Sequence, residues 1–205
     1  MQLLALDVAL LLPPDVRARV VELNAQLSGD SEGLRLDESH NPHVTLTQTF
    51  VRPEELDAVF ERLDQVLRGV TAITLHASGV THSGSTLALA VDRRPELVAL
   101  HEAVMETMRG YERPGGTPAA FVGGEGRIGD VLWVTSYRLK SAFHSYAPHI
   151  TVGHVAQPPE IAPFTFTADT VAACHLGRFC TCERVLRVWP LSGARGIRAR
   201  GADGL

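Results

Sequence analysis

Two histidines in this chain stand in the same local phrase. Pro42-His43-Val44-Thr45-Leu46 and Pro148-His149-Ile150-Thr151-Val152 each read proline, histidine, β-branched aliphatic, threonine, aliphatic, and they lie about half the chain apart. Alternation of this kind makes a strand, in which successive side chains point to opposite faces. His43 and Thr45 then share one face, and so do His149 and Thr151, while the aliphatic residues face a core. Histidine is the side chain that exchanges a proton near neutral pH with the least adjustment. A threonine hydroxyl beside it is suited to hold a phosphate oxygen. Two such units around one cleft carry two protons and two anchors. One neutral imidazole can take a proton from water or a ribose hydroxyl. The other, as imidazolium, can protonate a leaving oxygen and offset charge on a phosphoryl group. This is equipment for phosphodiester cleavage, and it calls for no metal and no cofactor.

A lone His-x-Thr is a weak signal. With nine histidines, roughly one copy arises by chance, and His76-Ala77-Ser78 is such a look-alike. Two copies that also share the proline and both aliphatics are a much stronger one.

The paired motifs resemble the signature of the 2H phosphoesterase superfamily, two H-x-[ST] motifs followed by an aliphatic residue, one in each half. That group includes RNA 2′,3′-cyclic phosphodiesterases and 2′-5′ RNA ligase-like proteins. The resemblance covers roughly residues 1 to 191. It implies an α+β, bilobal, pseudo-twofold fold with antiparallel sheets and flanking helices around a central cleft. It also implies metal-independent chemistry on 2′,3′-cyclic phosphates or 2′-5′ linkages of RNA ends or small nucleotides. Carried over by motif position, the catalytic histidines are His43 and His149, and the phosphate-holding hydroxyls are Thr45 and Thr151. Asn41 and Ala147 precede the motif prolines, so the arginine that some RNA-acting members carry there is absent. A noncatalytic module that binds nucleotides or RNA ends, and ligation as the reverse reaction, are the competing functions.

Other residues near the motifs have readings of their own. Tyr146 and Phe143 could stack a nucleobase at the rim, with ordinary packing as the rival reading. Arg138 and Lys140 could meet a second phosphate, or simply face solvent. His40 and His144 flank the motifs and, with His43 and His149, raise a zinc alternative. Their unequal spacing and the lack of accompanying carboxylates speak against it, so no metal is expected. His154, five positions beyond His149, falls on the opposite strand face by alternation. Gly123-Gly124-Glu125-Gly126 lacks the Gly-Lys-Ser/Thr ending of a phosphate loop.

The elements that must position these residues alternate along the chain. Leu3–Leu12 reads as a buried strand interrupted once, by Asp7, and not as a signal peptide. Pro13-Pro14 opens a helix that Ser28-Gly29-Asp30 ends. His43–Val51 is a strand, Pro53 starts a second helix, and Ala72–Ala77 and Thr86–Val91 are strands joined by Ser83-Gly84-Ser85. A third helix follows Asp92. Tyr111–Ser145 reads as irregular, with a strand at Val131–Tyr137. His149–Val155, Phe164–His175 and Arg184–Trp189 complete the strands, and residues 192–205 are expected to form a flexible tail. One bilobal domain over residues 1–191 is expected.

The chain has 205 residues, 45% of them hydrophobic and 20% charged, which suits a soluble globular protein able to build a core without disulfides. Its net charge of −4 argues against a general grip on long nucleic acid. Three crowded cysteines make no disulfide framework, so a reducing cytoplasm is expected. No stretch reaches the length of a membrane span, and a monomer is expected.

Overall fold

Leu4–Leu11 forms β1, buried at every position except its two ends. A strand covered on both faces must sit inside a sheet, and β1 does. The computed structural model describes residues 2–27 and 33–193. In it β1 pairs antiparallel with β2 (His43–Val51) on one side and with β7 (Thr170–Leu176) on the other. With β8 (Cys182–Pro190) beside β7, the first sheet runs β2-β1-β7-β8. A second antiparallel sheet runs β5-β4-β3-β6, built from β3 (Ile73–Ser83), β4 (Thr86–Val91), β5 (His149–His154) and β6 (Phe164–Ala168). The two histidine strands, β2 and β5, are therefore edge strands, one in each sheet, and they approach one another. The fold is α+β, as expected.

Four helices cover the sheets. In α1 (Pro14–Leu27), Val16, Val20 and Asn24 are buried, one turn apart. Pro14 and Pro95 stand at the starts of their helices, where a missing N–H costs nothing. In α2 (Leu56–Leu67), Val59, Leu63 and Leu67 form the buried stripe, and Gly69 at φ 82° lets the chain turn away. α3 (Pro95–Met108) lies against β2 and buries His101 among Leu97, Leu100, Val104 and Met105. Asn24 of α1 donates to the carbonyls of Leu34 and Val152, which pins the following loop to β5.

Several expectations are revised by these elements. Val131–Tyr137 is not a strand but part of α4 (Ile128–Lys140), which packs on β2. Its β-branched residues suggested alternation. However, Arg127 and Asp130 close a capping box, and Asp130, Val134 and Tyr137 are buried at helical spacing. The segment Tyr111–Ser145 thus holds a helix and short 3-10 turns, not irregular chain alone. Phe164–His175 is two strands that part at Asp169 to join different sheets. The strand begun at Ile73 continues to Ser83, where Gly84 at φ 60° makes the hairpin turn. The proposed helix stop at Ser28-Gly29-Asp30 lies outside the described residues, as does the tail beyond Gly193. Ser192 is tied down, its N–H donating to Val70 O and its carbonyl accepting from Ala72 N–H.

Beneath α4 a small cluster packs Phe50 edge-on to Phe121, with ring centroids 6.0 Å apart. A Cβ added to Gly126 would overlap the Phe121 ring, which is buried and has nowhere to go. Gly126→Ala should therefore cost about 1–3 kcal/mol, the usual range for overpacking. The readout is the urea midpoint, and an unchanged midpoint would show that the ring can move aside.

Candidate active site

Both motif histidines are held by the same local device. His43 opens β2 and its Nδ1–H donates to the carbonyl of Asn41, two residues back, at 2.9 Å. His149 opens β5 and donates to Ala147 O in the same way at 2.8 Å. A carbonyl can only accept, so both rings carry a proton on Nδ1 and leave Nε2 for chemistry. Each strand also carries an extra residue at a bulge beside its motif. Between Val8 and Ala9 of β1, the partners on β2 jump from Thr47 to Thr45, leaving Leu46 out. Between Leu87 and Ala88 of β4, the partners on β5 jump from Gly153 to Thr151, leaving Val152 out. Leu46 and Val152 are the last residues of the two phrases, so the symmetry of the text extends to a pair of β-bulges.

The two histidines differ in what lies beside them. Asp7, in the middle of β1, is fully buried. Its Oδ2 accepts from Thr45 Oγ1 at 3.1 Å and from Gln48 Nε2 at 2.6 Å, and sits 3.3 Å from His43 Nε2. His43 is only 13% exposed, and burial alone would discharge it. The Asp7 charge, its hydrogen bond and the Asn41 carbonyl outweigh that and lift His43 from 6.5 to about 9. Among the described residues, His149 has no such carboxylate. Burial lowers it, against the pull of the Ala147 carbonyl, and the charge on His43 lowers it further. At neutral pH the site therefore holds one imidazolium, His43, and one neutral imidazole, His149.

Both histidines, Thr45 and Thr151 line one cavity of about 530 Å³ between the sheet edges. Asp7, His43 and Cys182 bring possible metal-ligand atoms within 4.8 Å of one another. Asp7 is already engaged by Thr45 and Gln48, and burial holds the Cys182 thiol well above its usual range, so the thiol stays protonated and is a poor metal ligand.

A family model described as the 2′-5′ RNA ligase superfamily matches residues 12–176. The chain belongs to that superfamily. Solved structures of similar fold include TT0787 of Thermus thermophilus, at 18% identity and a TM-score of 0.62. That match covers 93% of this chain and 100% of TT0787. Another is E. coli LigT complexed with NADP+, at 18% identity and a TM-score of 0.56, covering 93% of this chain and 99% of LigT. No curated protein matches the chain.

In this member of the 2′-5′ RNA ligase superfamily, the remaining candidates occupy varied places. Lys140 lines the cavity. Arg138 does not: its Nε donates to Glu112 and its Nη2 to Met105 O. Phe143 lies outside the lining, against His101. Tyr146 lines the cavity but is 2% exposed, with its ring stacked on His101 and its hydroxyl donating to Thr45 O. His154, expected on the far face, is turned into the cavity because the Val152 bulge resets the alternation. Residues not anticipated include Arg127, whose guanidinium lies 3.6 Å from the Phe179 ring centroid, both at the cavity wall. Asp7 was visible only as the one charge in an apolar run.

Proposed function

We propose that this protein is a metal-independent phosphodiesterase acting on 2′,3′-cyclic phosphates or 2′-5′ linkages of RNA ends or small nucleotides. The observation that carries this reading is the pair of Nδ1-anchored histidines in one cavity, of which, among the described residues, only His43 has a buried carboxylate beside Nε2. His149, neutral and with its Nε2 lone pair open, is the base that takes a proton from the attacking water. As the water oxygen bonds to phosphorus, the bond to one ribose oxygen breaks. His43 supplies the proton to that leaving oxygen, and Asp7 stabilises the charge His43 carries until then. Thr151 donates to a phosphoryl oxygen directly, while the Thr45 hydroxyl turns from Asp7 to do the same.

Similar proteins support the substrate class. LigT is known as complexes with 3′-AMP, ATP and phosphate. The first two of these ligands carry a phosphate joined to a nucleoside, and the third is the phosphate alone. The decisive assay offers 2′,3′-cyclic nucleotides, RNA ending in a cyclic phosphate and 2′-5′ dinucleotides, each with and without EDTA. Turnover of at least one class at an EDTA-independent rate is expected. Binding of these ligands without turnover would instead make the protein a nucleotide-binding module, and loss of turnover in EDTA would overturn the two-histidine scheme.

A further inference from the structure

The bulge after the first motif takes Leu46 out of the β1–β2 pairing. Its carbonyl accepts a hydrogen bond from Nδ1–H of His101, on α3, at 2.7 Å. The other ring nitrogen, Nε2, accepts the backbone N–H of Phe143 at 2.9 Å. His101 is fully buried, and these two bonds require its neutral form with the proton on Nδ1. Burial, the main influence on it, favours that form.

Tyr146 completes the arrangement. Its ring lies flat on His101, with centroids 3.7 Å apart and 1° between planes, and its hydroxyl donates to Thr45 O at 2.9 Å. Two consecutive carbonyls of the first motif, Thr45 and Leu46, are therefore held by one stacked pair. The same pair holds the approach to the second motif, because Phe143 and Tyr146 lie just before Pro148 and His149. Phe143 sits at φ 56°, a strained conformation for a non-glycine residue, and persists only where its surroundings impose it. The His101 bond to its N–H and Arg93 bonds to the Phe143 and His144 carbonyls supply that restraint. Neither His101 nor Phe143 lines the cavity.

We infer that the His101–Tyr146 pair positions the two motif histidines relative to one another, fixing β2 and the segment entering β5 as one unit. This inference rests on the phosphodiesterase reading. The physical stake is large, since a misplacement near 1 Å can cost roughly 100-fold in rate.

The test compares His101→Phe, which keeps a stacking ring but loses both bonds, with His101→Gln, whose amide can donate and accept. Kinetics on a 2′,3′-cyclic nucleotide are read beside calorimetric binding of inorganic phosphate. For His101→Phe, kcat should fall about 10- to 100-fold with KM rising by a smaller factor, and His101→Gln should recover most of the loss. Should His101→Phe fail to fold, Tyr146→Phe removes one hydroxyl and keeps the stack, and a fall in kcat of about threefold or more is expected. A folded His101→Phe with wild-type kcat overturns the inference, and so does a Tyr146→Phe with wild-type kcat. If the wild type binds phosphate but turns over no substrate, the functional reading fails, and phosphate affinity decides. A loss of about tenfold in His101→Phe then supports positioning, and an unchanged affinity overturns it.

Discussion

His149→Ala is expected to lower kcat on the preferred cyclic phosphate by a factor on the order of 10² to 10⁴, the range a positioned proton-transfer group contributes. His43→Ala should lose a similar amount. The double variant should lose little more than either single one, because base and acid serve one bond exchange and their effects do not add. Alanine at either position removes a side chain at the cavity wall, so far-ultraviolet circular dichroism must show both variants folded. The two should then differ in rescue. Added imidazole can restore a base to His149→Ala near neutral pH, whereas in His43→Ala it must also be charged to serve. A folded His149→Ala retaining more than about a tenth of wild-type kcat would mean that another group removes the proton.

Asp7→Asn should move the alkaline edge of the pH–rate profile. On the proposed mechanism the wild-type rate needs His149 neutral and His43 charged. It should therefore rise through the lowered range of His149, on the acid side of 6.5, and fall as pH passes about 9. Asparagine keeps the shape of Asp7 and can still accept from Gln48 and Thr45, but the charge beside His43 Nε2 is gone. The burial that opposes protonation remains. The alkaline edge should fall by about two pH units or more, so that activity at pH 8 drops roughly tenfold or more relative to pH 6. Stability should follow the same group. His43 is raised in the folded state, so its contribution is complete below 6.5 and is lost as pH climbs through about 9. The lift corresponds to a contribution on the order of 3 kcal/mol. Urea unfolding across pH 6 to pH 9.5 should show that decline in the wild type and a much flatter curve in Asp7→Asn. A wild-type edge that does not move in the variant would remove Asp7 from the mechanism.

The candidate histidine pair was legible because it depends on residue type and alternation, both properties of short stretches. His43, Thr45, His149 and Thr151 needed no tertiary information to be singled out. What separates the roles of the two histidines did need it. Asp7 lies far from His43 in the chain, and only the β1–β2 register brings them together. The bulges were equally hidden, since skipping one residue leaves no mark in composition, although Gly153 stands beside one of them. That hidden shift is why His154 was placed on the wrong face. Val131–Tyr137 misled for a different reason: its β-branched residues favour strands, but the capping box of Arg127 and Asp130 and the burial of one helical face outweigh that preference. Tyr146 and Phe143 stood near the second motif in the text, and proximity in sequence suggested the rim. Burial against His101 assigns Tyr146 to the scaffold.

The strand order of the first sheet governs when the site can come into being. β1 carries Asp7 and lies between β2 and β7, and Asp7 faces Cys174 across that second ladder. A ribosome delivers Asp7 and His43 before any strand of the other sheet, and the strand that closes over Asp7 follows only after all four of them. Until Thr170–Leu176 docks, the carboxylate meant to charge His43 stays in water, where its pull on an imidazole is weak. His43 is thus made well before the strand that completes its surroundings, and it is among the last groups to acquire its charge. Pairing across so long a stretch of chain also makes this a slow step of folding. A nascent chain released before β7 would carry both histidines and no working pair.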